Sequence, residues 1–260
     1  MKNLLTRFIS GLVVLLVIFL MHFYSEYFLL PGVIILSTFM LIELKNALKN
    51  MRISTRIWIA ICLNLLYIAA FYLKSLPIII FLILSTVICG FFQIIFLDSG
   101  KISVGSSQLF INIYISLFMS HLLFFKGSVY AWLIYIIAFG TDTFAYLVGS
   151  IFGRHKLIPK VSPQKTIEGA IGGIIGSILL AMVFSLLTKQ THIREILLIS
   201  AFGAIVSQIG DLTASQIKRM TKIKDYGKII PGHGGILDRF DSVLIVAPFL
   251  YWMLYFNQII

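Results

Sequence analysis

The chain is expected to be an all-α, polytopic integral membrane protein, and three observations carry that expectation. Of its 260 residues, 59% are hydrophobic and only 12% are charged, at a mean hydropathy of +1.00. A soluble domain of this size could not hide so much apolar surface. The apolar residues fall into runs long enough to span a bilayer, about 20 residues each. The 21 lysines and arginines crowd into alternate connecting segments, as positive-inside topology requires.

Nine spans are expected, with approximate limits at 8–24, 27–44, 57–73, 76–97, 108–125, 129–152, 167–187, 195–215 and 240–257. The first follows Lys2 and Arg7 and could pass for a signal peptide. No small-residue cleavage site follows it, so it is read as a span. With the N-terminus inside, only Lys74, Lys126, Lys189 and Arg194 fall in outside segments, against 17 inside. That places the N-terminus in the cytoplasm and the C-terminus outside. The net charge of +11 is then a topology signal, and no nucleic-acid partner is expected.

The whole chain, 1–260, reads as one transmembrane domain, with helices of unclear role up to residue 128 and the chemistry in 129–260. In the first part Glu43, Asp98, His22 and His121 lie near helix ends and read as solvated or interfacial side chains. The basic stretch KNALKNMRISTR (45–56) reads as a contact with anionic headgroups. Cys62 and Cys89 have no partner at metal or disulfide spacing and read as small core residues.

Polar chemistry begins in the sixth run with Asp142, a carboxylate in the middle of an apolar helix, which needs a partner there; Tyr146, one turn on, reads as a packing aromatic. The loop FGRHKLIPKVSPQKTIEGAIGG (152–173) is dense in donors: Arg154, His155, Lys156, Lys160, Ser162, Lys165 and Thr166. Pro159 and Pro163 keep it from continuing as helix. Ser162 or Thr166 would then open the seventh helix with amides and cations suited to phosphate. Gly169, Gly172, Gly173, Gly176 and Ser177 make a small-residue surface on that helix, expected to lie against the eighth.

In the eighth helix Ser207, Asp211, Ser215 and Lys218 fall at i, i+4, i+8 and i+11, a polar stripe on one face. A basic segment follows, then a flexible turn, Pro231-Gly232-His233-Gly234-Gly235, and Asp238-Arg239-Phe240-Asp241 at the mouth of the last run. Asp238 and Asp241, three residues apart, share a face. Charged groups at membrane depth cost a few kcal/mol or more unless they pair, bind an ion or line a wet cavity, so this stretch is read as a site. Carboxylates from neighbouring helices suit a hard divalent ion such as Mg²⁺, and the lack of paired His or Cys argues against zinc. With cations around them they are the equipment of phosphoryl or nucleotidyl transfer. An ion-coupled transporter also uses intramembrane carboxylates, but it would show a matching polar segment in the first half. A lipid-alcohol kinase or a CDP-lipid phosphotransferase is a further alternative; the latter resembles DGxxAR, absent here.

Ser215-Gln-Ile-Lys218-Arg219, Lys224-Asp225-Tyr-Gly227 and Pro231-Gly-His233-Gly234-Gly235-Ile-Leu-Asp238-Arg239-Phe-Asp241 together resemble the signature of the phosphatidate cytidylyltransferases, or CDP-diacylglycerol synthases. Asp142-Thr143-Phe-Ala145-Tyr146 and Ser162-Pro163-Gln-Lys165-Thr166-Ile-Glu168-Gly169 resemble the family's secondary motifs, so the resemblance covers roughly 140–241. Where many members resemble GDLxES, this chain has Ala214 in place of a frequent Glu. The resemblance implies transfer of a cytidylyl group from CTP to phosphatidic acid, Mg²⁺ dependence, a companion cation such as K⁺, and a homodimer in the cell membrane. On this reading Asp211, Asp238, Asp241 and Asp142 are metal ligands, and Asp211, Asp238, Asp241 and Lys218 are catalytic. Lys165, Ser162, Thr166, Lys218, Arg219, His233, Arg239 and Ser215 are substrate-binding.

Overall fold

The computed structural model describes residues 2–53, 55–97 and 102–260; Asp98 and Lys101 lie outside the described residues, as do the side chains of Lys2 and Arg7. The fold is helical, as expected. Among the described residues seven helices are long and apolar enough to cross a membrane, and Phe8–Phe23 and Ile57–Tyr72 are shorter apolar helices. The chain divides into two compact units, Met1–Gly127 with Met220–Arg239, and Ser128–Arg219 with Phe240–Ile260.

The first unit contains α1 (Lys2–Phe23), α2 (Ser25–Lys49), α3 (Ile57–Tyr72) and α4 (Leu76–Phe92), which continues as a π-helical turn. It also contains α5 (Ile102–Ile111), joined by a second π turn to the short α6 (Phe118–Ser120) and a 3₁₀ turn. Met40, Leu41 and Leu44 of α2 meet Tyr67 and Phe71 of α3 in its core, with Ile115 and Met119 from the irregular segment, all at most 1% exposed. Two polar contacts cross between helices inside this core: Asn64 donates to Ser37 Oγ at 2.8 Å and Tyr67 shares a hydrogen bond with Thr86 at 2.9 Å. Helix ends that the charge count puts on one side meet. Glu26 pairs with Lys126 at 2.7 Å, whereas Asn50 donates to the Thr221 carbonyl at 3.2 Å and Gln108 accepts from the Arg56 amide at 3.0 Å.

Four side chains here are not where the sequence puts them. His22 and His121 are buried, at 8% and 5% exposure. His121 is held by the Leu117 carbonyl at 2.9 Å and by the Phe71 ring, 4.7 Å between centroids. A nearby carbonyl and aromatic faces make the interior tolerable for an imidazole. Glu43 is buried as well, for reasons given below. Cys62 is exposed rather than in the core, on the outer face of an apolar helix.

The second unit contains α7 (Ala131–Phe152), α8 (Ile167–Leu187), α9 (Ile193–Met220) and all but the first turn of α10 (Leu237–Phe256). The loop expected between α7 and α8 is a β-hairpin, β1 (Lys156–Ile158) and β2 (Ser162–Thr166), antiparallel with Lys156 opposite Thr166. Its glycine face, on α8, lies against α7 and not against α9. An added Cβ would come 2.6 Å from the Ala145 carbonyl at Gly169 and 2.8 Å from the Thr141 carbonyl at Gly173. Only a bare backbone lets the two helices approach so closely. The link from α8 to α9 is made by side chains: Gln208 donates to the Ala170 carbonyl at 3.1 Å and Ser177 to the Ser200 carbonyl at 3.4 Å. Tyr146 is 74% exposed and does not pack inside, because the glycine face takes the opposite side of α7.

Candidate functional site

In the second unit the polar stripe of α9 meets the hairpin. Asp211 stands nine residues before the end of α9, about 13 Å along the axis, and is half-buried. Its Oδ2 forms an ion pair with Lys165 of β2. Asp142 of α7 and Asp241 of α10 act on the same ammonium and favour its charge, while Lys218, two turns beyond Asp211, opposes it. Burial dominates, and it pushes the Lys165 amine below the ordinary lysine range. Three carboxylates from three helices therefore share the positive charge of one lysine.

Local sequence explains how this arrangement closes. A Cβ on Gly210 would sit 3.0 Å from the Asp241 carbonyl, so glycine lets α10 approach α9 beside Asp211. Ser242 then donates to the Ser207 carbonyl at 3.2 Å, and Asp241, 6% exposed, accepts from the Ser242 amide at 2.8 Å. Lys218 and Arg219 fill the last turn of α9, where cations complement the helix dipole. Arg219 also donates to the Val161 carbonyl at 3.1 Å, tying α9 to the hairpin turn. Ser215 is half-buried one turn past Asp211, and Ala214 is fully buried. Ser162 begins β2. Thr166 opens α8, one of the two residues expected to do so: it is 6% exposed, and its hydroxyl caps the helix by accepting from Gly169 N at 3.1 Å. It also ends β2 of the hairpin.

The first unit holds the turn that precedes α10. Pro231 at the second position, Gly232 at the third with φ +77° and the His233 amide returning to the Ile230 carbonyl at 3.0 Å fit a type II turn. Arg239 Nε donates to the His233 carbonyl at 3.0 Å, and the His233 ring shares a 2.6 Å hydrogen bond with Ser10 of α1. Asp238 Oδ2 accepts from the Tyr226 amide at 2.8 Å and from the Gly235 amide at 2.9 Å. The next two amides, Ile236 and Leu237, donate to Glu43 of α2, at 3.0 Å to Oε1 and 2.8 Å to Oε2. Glu43 is thus a buried carboxylate, 4% exposed, and not a solvated one. Burying it costs several kcal/mol unless hydrogen bonds compensate, and the helix N-terminus supplies them. Nothing in the sequence around Glu43 signals this; a glycine-rich helix start with no side-chain cap of its own was the available hint.

Beside the turn lies a cavity of about 670 Å³ lined by Lys224, Asp225, Lys228, His233 and Arg239. Lys224 and Lys228 form no ion pair among the described residues. Cationic side chains line this cavity, while the Leu237 amide at the start of α10 is taken by Glu43.

The donor set near Lys165 is the hard oxygen kind that Mg²⁺ takes. Among the described residues no group of three His, Cys, Asp or Glu side chains is close enough to hold an ion alone, so water and phosphate oxygens would complete any shell. The fold and these side chains define a helical membrane protein whose carboxylates and cations suit phosphate chemistry. The chain belongs to the cytidylyltransferase family, whose profile matches residues 5–257. It is similar to the phosphatidate cytidylyltransferases of Bacillus subtilis (46% identical over 129 residues, 49% of this chain and 48% of that one), Staphylococcus epidermidis (45% over 126 residues, 48% of each) and Haemophilus influenzae (40% over 128 residues, 47% and 44%). The chain spans about half the length of the curated relatives it matches.

Proposed function

We propose that the protein transfers the cytidylyl group of CTP to phosphatidic acid, giving CDP-diacylglycerol and pyrophosphate. The observation that carries this reading is Lys165 held among Asp211, Asp142 and Asp241 with Lys218 beside it, in a chain whose relatives bear the name of that activity. The phosphatidate oxygen, ionised near neutral pH, forms a bond to the α-phosphorus of CTP as the bond to the pyrophosphate oxygen breaks, with no covalent enzyme intermediate. Lys165, Lys218 and Arg219 neutralise the phosphates, and Ser162 and Ser215 contribute hydroxyls. His233 and Arg239 of the turn are read, from the resemblance, as substrate-binding. Asp211 is the proposed principal ligand of Mg²⁺, with Asp241 and Asp142 supporting it or holding a second cation such as K⁺. Asp238 is proposed as a ligand from its place one turn before Asp241 on α10. Bound Mg²⁺ would neutralise charge on the reacting phosphate oxygens.

The remaining parts of the reading follow from the positive-inside count and the resemblance. The chain makes nine crossings of the cell membrane, with the N-terminus and the site on the cytoplasmic side, and assembles as a homodimer. Release of labelled pyrophosphate from CTP, with and without phosphatidic acid, tests the activity. Release that requires the lipid supports it; substrate uptake into proteoliposomes without CTP would overturn it in favour of a transporter.

A further inference from the structure

Glu43 comes from the half of the chain for which the motifs assign nothing, yet it is bound to the segment that carries His233, Asp238 and Arg239. Its two oxygens take the amides of Ile236 and Leu237, 193 and 194 positions further along. The segment is shaped to receive it. A Cβ on Gly235 would lie 2.5 Å from Glu43 Oε1, and one on Gly227 would collide with the same oxygen. A helix start can be capped locally by Ser, Thr, Asp or Asn, and this one instead leaves two amides to a remote carboxylate. With Asp238 holding the Tyr226 and Gly235 amides, Glu43 completes a set of four backbone hydrogen bonds that fixes the wall of the 670 Å³ cavity.

We infer that Glu43 is a positioning residue for the reaction: it sets the pose of residues 226–239, and so of Asp238, His233 and Arg239, without touching substrate itself. The inference rests on the proposed cytidylyl transfer, and its test separates the two. Glu43→Gln keeps the size of the side chain but places an amide NH₂ against a backbone N–H, so one of the two bonds is lost. In the full-length protein in nanodiscs, hydrogen exchange of Glu43→Gln is expected to speed up in peptides covering 226–239 and to stay unchanged elsewhere. Turnover of CTP should fall about 10- to 100-fold, the range for losing a group that orients a site residue, with kcat and the Mg²⁺ concentration for half-activation moving together. Gly235→Ala, which presses on the same carboxylate from the other side, should reproduce this pattern. Glu26→Gln, at the far end of α2 in an exposed pair with Lys126, should change neither readout. Unchanged exchange at 226–239 in Glu43→Gln overturns the inference, and so does loss of protection throughout the chain in both variants, which would make Glu43 a folding residue only. The exchange arm needs no substrate, so a wild-type protein that releases no pyrophosphate would overturn the proposed function and leave the hold of Glu43 on the segment to be decided separately.

Discussion

In the first unit Glu43 and Asp238 are met by backbone N–H groups, four hydrogen bonds between 2.8 and 3.0 Å. In the second unit Asp211 is met by the ammonium of Lys165, with Asp142 and Asp241 acting on the same charge. Both arrangements solve the problem of an acidic group away from water, but they differ in what can replace the partner. An amide is fixed in the chain and cannot leave. A lysine on a short strand can swing aside on four rotatable bonds. The amide-bound carboxylates of the first unit accordingly hold a shape, whereas the partner of Asp211 in the second is a side chain that can move.

The strongest way to break this comparison is Asp211→Asn. It removes the charge that Lys165 answers, and CTP turnover is expected to drop about a thousandfold, as for the loss of a principal electrostatic group. The loss should persist across a Mg²⁺ titration; near-wild-type turnover would remove Asp211 from the site. Lys165→Met comes next, at about a hundredfold in turnover. Because the Lys165 amine lies below the ordinary lysine value, its charge is present at low pH and is lost as pH rises, before that of an unperturbed lysine at about 10.4. The alkaline fall in kcat should therefore come early. Lys165→Arg, charged throughout this range, should push that fall to higher pH in a rate-against-pH profile.

Asp238 sharpens the comparison, because two roles for it predict different outcomes. As an acceptor for Tyr226 and Gly235 amides it is replaceable by Asn, whose carbonyl oxygen accepts the same bonds, and activity should fall by about tenfold or less. As a metal ligand it is not replaceable, and Asp238→Asn should match Asp211→Asn in both kcat and Mg²⁺ dependence. Steady-state kinetics of the two variants side by side decides between them. The smallest effect belongs to Gly210→Ala. The new methyl meets the Asp241 carbonyl at 3.0 Å, and the thermal midpoint should drop by the equivalent of about 1 kcal/mol, at the low end for overpacking.

The spans were legible because hydropathy alone sets them. The run expected at 167–187 coincides with α8 (Ile167–Leu187), and 129–152 is close to α7 (Ala131–Phe152). Asp142, Asp211 and Asp241 stood out as carboxylates in apolar helices, which no packing rule explains. The hairpin was not legible: its strands have three and five residues, carry Pro163, and lack the alternation that marks a half-buried strand. The partner of the glycine face could not be read either, since a small-residue stripe says that a helix approaches closely but not which one. Glu43 was hidden for the deepest reason. Its environment is made by residues 226–237, and no local pattern around position 43 encodes a contact so far along the chain.

The resting pair of Lys165 and Asp211 also sets a threshold. A visitor arriving at Asp211 finds the seat already held by one unit of positive charge, so a singly charged ion gains almost nothing by evicting the incumbent. A doubly charged ion gains roughly twice the attraction at equal distance, and the evicted ammonium is left near any anionic cargo that came with it. On the proposed reading of Asp211 as a Mg²⁺ ligand, discrimination between alkali and alkaline-earth ions would begin with a side chain that coordinates neither.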